Sequence, residues 1–404
     1  MDPSEVLARL VKHYLTSRDF NGMSARDLPD YRGALEQLIV AGDIEVFSEL
    51  NSVNPAIRMV PSARTPDEMV ADLRRESPYT WVYPSSQAMR AEDLSRFRDE
   101  PYCLRLAEGG AQLDFVYFTF EVLEPYRNDP RFYYRPWDFG SAVGWRGADD
   151  DPHAVRDGIG EVRVGFAYSD FEPDAPRVVR LACSILRDLA HLTPAHQQRW
   201  KTWEVASQGA NPHPGWYASV VGEWNDWIGP FRKLAAEMKA LNQLFARAFG
   251  ENLFETTELP ESLGWVLRPT VAEWEAFTLT LDKFLSDNLR PRAFDAARVP
   301  RVDNEGREMN TIRRFQYLLD SRVRVRQGST DEALAPWRRV RRARQDPAHR
   351  LGVNSTNESV VREQADLLSD VAWSVESLRR LFMTHRANVG WEPPAELSAR
   401  VFRF

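Results

Sequence analysis

Arg344 and His349 are the two residues of this 404-residue chain whose types and spacing could do chemistry together. An imidazole with a pKa of about 6.5 can accept a hydroxyl proton, or give one to a leaving oxygen, at neutral pH. A guanidinium can bind a phosphate through two N–H groups and can stabilise the charge of a transition state. The pair therefore predicts cleavage of an RNA phosphodiester by attack of the 2′-hydroxyl group, without a metal ion.

The pair lies in a basic stretch of an acidic chain. The chain carries a formal charge of −7, yet the stretch from Arg290 to Arg350 holds 16 Arg, no Lys and 8 Asp plus Glu. A local basic patch attracts the phosphate backbone of RNA. The residues predicted to bind RNA beside the pair are Arg338, Arg339, Arg341, Arg342 and Gln345. A charge run alone also fits an arginine-rich helical face that is merely solvated, so that interpretation stays open.

Helices with apolar stripes must position the pair. Residues 267–388 contain four such segments, and four amphipathic helices predict a bundle. The segments are RPTVAEWEAFTLTLDKFLSDNL, TIRRFQYLLDSRVRV, STDEALAPWRRVRRARQ and ESVVREQADLLSDVAWSVESLRRLFM. Pro347 and Gly352 frame the end of the third helix. We therefore expect His349 just beyond that helix and Arg344 about one turn before its end.

The remaining residues predict an α+β fold that is mostly α. Residues 1–64 follow the order helix, helix, helix, two extended segments, with NPAIRMVPS as the second, which is typical of a winged-helix unit. Its third helix is poor in basic residues, so protein contact or scaffolding is as good an interpretation as DNA binding. Residues 65–180 predict a small mixed α/β domain. Residues 181–266, from LACSILRDLAHL onward, predict a helical connector, and residues 389–404 predict an extended arm.

Composition excludes several classes of function. The two cysteines, Cys103 and Cys183, support neither a disulfide framework nor a zinc cluster and fit a reducing cytoplasm. We find no apolar run of about 18 residues, and the start MDPSEVLARL has no apolar signal core, so no membrane partner is expected. Phosphate-binding loops, dinucleotide fingerprints and zinc-protease motifs are absent from the sequence. We therefore predict no metal and no cofactor.

Residues 267–388 resemble the HEPN ribonuclease superfamily. The resemblance rests on an arginine, a following polar residue and a short spacer to a histidine, here R-QDPA-H, between the last two helices of a bundle. The chain also resembles a bacterial multidomain family of the toxin or anti-phage defence type, through a YRNDPR motif and an RPT…LDKFLSDN helix. One departure is the loop after His349, which is longer and richer in Gly and Asn than the family pattern.

The resemblance implies roles and partners. Arg344 would bind the phosphate and His349 would act as the acid and base. HEPN ribonucleases typically dimerise through the bundle to form a composite site, and many act as toxins or in abortive defence, so RNA, a second copy, and an antitoxin or phage-derived trigger are the expected partners. The alternative is a catalytically silent HEPN bundle that serves as a nucleic-acid-binding or protein-binding sensor.

Overall fold

The computed structural model describes residues 2–28, 31–48, 64–75, 77–148, 151–168, 179–207, 209–223, 227–322, 330–348 and 353–401. The fold is of mixed α and β structure and is mostly helical, as predicted. The chain divides into two compact units. The first comprises the described residues of 1–134, 140–170 and 179–224, and the second comprises residues 135–139 and the described residues of 225–404. Among the described helices, none has the length and apolar character that a bilayer span requires.

The first unit combines short helices with two antiparallel sheets. Its helices are α1 (Pro3–Thr16), α2 (Arg32–Ala41), α3 (Pro66–Arg74), α4 (Ser86–Met89), α5 (Pro101–Ala107), α6 (Glu124–Asn128), α7 (Ala154–Asp157), α8 (Leu186–Ala190), α9 (Pro194–Lys201) and α10 (Pro214–Val221). The strands are β1 (Met23–Ser24), β2 (Ile44–Ser48), β3 (Thr80–Pro84), β4 (Phe115–Phe118), β5 (Phe132–Trp137), β6 (Gly140–Trp145), β7 (Val162–Tyr168), β8 (Val179–Ile185), β9 (Glu204–Val205) and β10 (Asn211–Pro212). Strand β5 begins in this unit and ends among the residues assigned to the second.

The two sheets have simple orders. The smaller sheet is β1-β3-β2, and the larger is β5-β6-β7-β8-β4-β9 with β10 added to β7. Strand β2 pairs with β3 along its whole length, from Ile44 opposite Pro84 to Ser48 opposite Thr80. The smaller sheet therefore contains strands from both sides of the predicted domain boundary at residue 64. The segment NPAIRMVPS, predicted as the second strand of a wing, lies outside the described residues.

Strand β8 lies where the sequence predicted helix. In LACSILRDLAHL the first five residues belong to β8, and the helix α8 begins only at Leu186. The strand is held between β7 and β4, and Leu181 to Ile185 are all buried. A strand covered on both faces presents a continuous apolar run, which periodicity cannot distinguish from a buried helix.

The second unit is helical. Its elements are α11 (Pro230–Phe249), α12 (Val271–Asp282), a π-helical turn (Lys283–Asp287), α13 (Pro291–Ala296), α14 (Thr311–Arg322), α15 (Thr330–Ala348), α16 (Ser359–Met383) and a parallel pair of short strands, β11 (Trp227–Ile228) and β12 (Arg400–Val401). Helices α11, α12, α14, α15 and α16 contribute to one buried apolar core. Helix α11, which lies in the predicted connector, packs along α16 in this core. The four predicted helices of 267–388 therefore share their core with α11 and also with α13, which contributes Ala293 and Phe294.

Helix α11 shows how sequence determines its two ends. Pro230 occupies the first turn, where a missing N–H costs nothing. The Asp138 carboxylate accepts hydrogen bonds from the backbone N–H groups of Phe231 at 2.8 Å and Arg232 at 3.3 Å, which would otherwise lack partners. At the other end, Gly250 adopts a left-handed φ of 82°, a conformation that favours glycine.

Candidate functional site

Helix α15 positions Arg344 on its core-facing side. Trp337 and Val340 are fully buried on this helix, and Arg344 follows them at the spacing of one helical face. Trp337 is anchored further by a hydrogen bond from its Nε1 to Ser374 Oγ on α16, at 2.9 Å. The rigid helix therefore carries a guanidinium to the edge of the apolar core, where a charge requires a partner.

That partner is provided by the end of α12. Asp282 is the last residue of α12 and is fully buried, and the π-helical turn Lys283–Asp287 follows it directly. Arg344 Nη1 donates to Asp282 Oδ2 at 2.6 Å and to Asp287 Oδ2 at 3.1 Å. The two aspartates are five residues apart, and an i→i+5 turn brings such residues onto one face. Turns of this kind are frequently found at functional sites.

Arg344 keeps donors that this ion pair does not use. Its side chain is 33% exposed, whereas the Asp282 side chain is 0% exposed. Both hydrogen bonds of Arg344 to the described residues use Nη1, so the Nη2 and Nε groups have no protein acceptor in this part of the chain. The hydrogen bond to Asp282 raises the pKa of Arg344 and keeps the guanidinium charged. A charged, partly exposed guanidinium with unused donors can bind an anion.

Two polar atoms beside the pair are buried and unsatisfied. Asp282 Oδ1 and Ser286 Oγ have no hydrogen-bond partner among the described residues. Buried polar atoms in native proteins are nearly always hydrogen-bonded, so an unsatisfied pair is unusual. Both atoms belong to the segment that holds Arg344. Other buried polar atoms without a partner occur elsewhere in the described chain, so this feature alone does not identify a site.

The predicted RNA-binding arginines separate into two groups. Arg338 donates to Asp331 at 2.6 Å and to Gln316 at 2.8 Å, and Arg339 donates to Asp370 at 2.7 Å. Arg341 is half-buried and Arg342 is exposed. Within the described ranges, neither Arg341 nor Arg342 forms an ion pair. Two of the four predicted arginines are therefore occupied by carboxylates, and the other two have no carboxylate partner among the described residues.

The other predicted residues have different outcomes. Gln345 is exposed on α15. His349 lies outside the described residues, so its proximity to Arg344 stays a prediction. Helix α15 continues through Pro347 to Ala348, beyond the end that the sequence predicted. The helix therefore extends to within one residue of His349.

Sequence analysis missed Asp282, Ser286 and Asp287. The segment DKFLSD was predicted as part of a regular α-helix, in which residues five apart point in different directions. A π-helical turn changes this phase, and its sequence has no signature that periodicity could detect. A pair of carboxylates five residues apart in an apolar helix is the one signal that was present.

The structure indicates no metal centre in the part of the chain that it describes. Among those residues no three His, Cys, Asp or Glu side chains are grouped so that they could hold a metal ion. Comparison with protein-family models, with curated proteins and with solved structures found no match.

Proposed function

We propose that the chain is a metal-independent endoribonuclease whose site lies at the end of α15 in an HEPN-like bundle. The observation that carries the proposal is the Arg344 guanidinium, which is held by Asp282 and Asp287 while its remaining donors face no described acceptor. It lies five residues before His349. A fixed guanidinium and an imidazole near one helix end are the groups that RNA cleavage without metal requires.

The proposed reaction proceeds by attack of the 2′-oxygen on phosphorus. His349 accepts the 2′-hydroxyl proton as the new oxygen–phosphorus bond forms, and the bond to the 5′-oxygen breaks. A proton then goes to the 5′-oxygen, from the same or a second imidazole. Arg344 binds the phosphate through Nη2 and Nε while Nη1 remains on Asp282. Its charge stabilises the additional negative charge of the transition state.

We propose a regulatory role for the rest of the chain. Residues 1–64, with α1, α2 and β2, are proposed to form a winged-helix-like unit for recognition, followed by the mixed and helical segments up to residue 266. The bundle is proposed to dimerise, and the enzyme to act in the cytoplasm as a toxin or in abortive defence against phage. An antitoxin or a phage-derived trigger would then control it.

The test is RNA cleavage by the purified full chain in the presence of EDTA. Wild type and Arg292→Gln are expected to cleave RNA, whereas Arg344→Ala and His349→Ala are expected to lose the activity. Arg292 is a suitable control because it is an exposed arginine of the same basic stretch and has no ion pair with the described residues. Equal cleavage by all four proteins, or cleavage by none of them, would overturn the proposal.

A second function is favoured by one specific observation. Two carboxylates neutralise Arg344, while Arg341 and Arg342 form no ion pair with the described residues. This distribution supports a catalytically silent bundle that binds nucleic acid through Arg341 and Arg342. It predicts salt-sensitive RNA binding without turnover, which Arg341→Gln and Arg342→Gln weaken and His349→Ala does not. Turnover in EDTA would reject this alternative.

A further inference from the structure

A cleft lies at the opposite end of the bundle from Arg344. Its volume is about 440 Å³, within the range of small-molecule sites. It is lined by residues from the ends of α11, α14 and α16, among them Phe249, Arg322, Phe382, His385 and Arg386. On α16, Asp370 pairs with Arg339 of the predicted RNA-binding group, whereas Phe382 lines the cleft. These two residues of α16 are about 18 Å apart along the helix axis at 1.5 Å per residue. The cleft is therefore separate from the proposed ribonuclease site.

The floor of this cleft is aromatic. The ring of Phe249 lies 5.6 Å from the ring of His385 and 6.3 Å from the ring of Phe382, measured between centroids. Phe382 is buried in the core, while Phe249 and His385 are half-buried and offer ring surface to the cleft. Aromatic rings of this kind stack with planar heterocycles such as the nucleic-acid bases, each of which presents a π-face.

The rim of the cleft is cationic. Arg322 and Arg386 are both exposed, and no carboxylate is found among the described residues that line the cleft. Arg322 uses Nη2 in a 3.4 Å hydrogen bond to the Ala297 carbonyl, and its other N–H groups have no acceptor among the described residues. Arg386 forms no ion pair with the part of the chain that the structure describes. Two guanidinium groups match the two negative charges of a phosphate better than they match the single charge of a carboxylate ligand.

His385 adds a directed donor. Its Nδ1 accepts a hydrogen bond from the Ala387 N–H at 3.3 Å, so the proton of the neutral ring resides on Nε2. The Nε2–H group is then available to an oxygen of a ligand. The cleft thus combines an aromatic floor, two guanidinium groups and an imidazole N–H donor.

We propose that this cleft binds a nucleoside 5′-phosphate, with the base against Phe249 and His385 and the phosphate between Arg322 and Arg386. The site is independent of RNA cleavage at Arg344. It provides the bundle with a small-molecule ligand whose binding would order the ends of three helices, α11, α14 and α16.

The experiment is calorimetric titration of the full chain with adenosine 5′-monophosphate, adenosine and inorganic phosphate. The monophosphate is expected to bind at least about tenfold more tightly than either fragment, because only it reaches both the aromatic floor and the cationic rim. Arg322→Gln and Arg386→Gln are each expected to weaken its binding about fivefold or more. The control Arg292→Gln and the site variant Arg344→Ala are expected to bind it as wild type does.

Three results would overturn this assignment. They are the absence of saturable binding of the monophosphate, equal affinity for the monophosphate and phosphate, and unchanged affinity in both Arg322→Gln and Arg386→Gln. Loss of binding in Arg344→Ala alone would place the nucleotide at the ribonuclease site and would also reject the cleft. Arg344→Ala is expected to lose RNA cleavage and to keep binding of the monophosphate. Failure of one proposal is therefore distinguishable from failure of the other.

Discussion

Two fully buried carboxylates in the C-terminal unit are each paired with an arginine, and the two pairs differ in what that arginine can reach. Glu237 on α11 pairs with Arg379 on α16, whose side chain is 8% exposed, and Lys233 Nζ lies 3.2 Å from the same carboxylate. Asp282 pairs with Arg344, whose side chain is 33% exposed, and the second carboxylate there, Asp287, is 45% exposed.

The difference separates a structural ion pair from a candidate site. Arg379 also donates to Met383 Sδ at 3.0 Å, so its donors are directed into the interior and join α11 to α16. Arg344 instead holds the edge of the core with one nitrogen, and its other nitrogens have no acceptor among the described residues. The same residue types therefore form an enclosed pair in one place and a partly exposed pair in the other.

The largest predicted effect concerns activity. Arg344→Gln is expected to reduce RNA cleavage by about 10²–10³-fold, the usual loss when a charge-stabilising donor is removed. Arg379→Gln is expected to leave cleavage per folded molecule unchanged. The rates are compared in EDTA at protein concentrations corrected for the folded fraction. A similar loss in both variants would remove the distinction between the two pairs.

For stability, the larger loss is predicted for Arg379→Gln and the smaller for Arg344→Gln. Arg379→Gln leaves Glu237 buried with Lys233 alone, so it is expected to cost about 3–5 kcal/mol. Arg344→Gln is expected to cost about 1–2 kcal/mol, because the Arg344 side chain is 33% exposed and its truncation lets water enter and screen Asp282. Hydrogen exchange of the α11 and α16 amides reports the opening free energy of the unit itself. A larger loss in Arg344→Gln than in Arg379→Gln would contradict this prediction.

Asp287 is predicted to compete with the RNA phosphate for Arg344. Asp287→Asn removes one negative charge beside the guanidinium, which is expected to tighten RNA binding by about fivefold, or about 1 kcal/mol. Glu376→Gln makes the same charge change beside Arg380 on α16, away from the site, and serves as the control. Binding is measured with the His349→Ala background to prevent turnover. Equal tightening in both variants would indicate a general charge effect.

A third buried carboxylate, Asp138, has no ion pair with an arginine among the described residues. Burial raises the pKa of Asp138 to about 6, although its backbone hydrogen bonds to Phe231 and Arg232 oppose the shift. Because the folded pKa lies above the unfolded value of about 3.9, protonation favours the folded state. This stabilisation is complete below pH ~3.9 and is lost as the pH rises through about 6.

We therefore expect Asp138 to lower the stability of this unit by about 1 kcal/mol between pH 5 and pH 7. Asp138→Asn is expected to flatten that dependence, since an amide keeps an acceptor oxygen and does not titrate. The urea midpoints of both proteins at the two pH values provide the measurement. Parallel pH dependence in the wild type and the variant would exclude Asp138 as the cause.

Apolar periodicity predicted much of the C-terminal unit and little of its polar site. The stripes of α14, α15 and α16 were visible because their buried residues recur at helical spacing, as Trp337 and Val340 do. The arginine near the end of α15 was found by its type. Its carboxylate partners were not, because the π-helical turn that aligns them has no sequence pattern. Strand β8 was missed because its two faces are both buried.

Cleavage of RNA by attack of the 2′-hydroxyl group, without a metal ion, is tested most directly by the chemical groups that the cut leaves. In EDTA, the full chain is given an RNA oligonucleotide with one preferred cleavage site, and the same oligonucleotide with a single 2′-deoxynucleotide on the 5′ side of that site. Attack by the 2′-hydroxyl group predicts a 2′,3′-cyclic phosphate on the 5′ product of the RNA and no cleavage at the deoxy-substituted position. Cleavage of both oligonucleotides at equal rates, leaving a 3′-hydroxyl group, would contradict it.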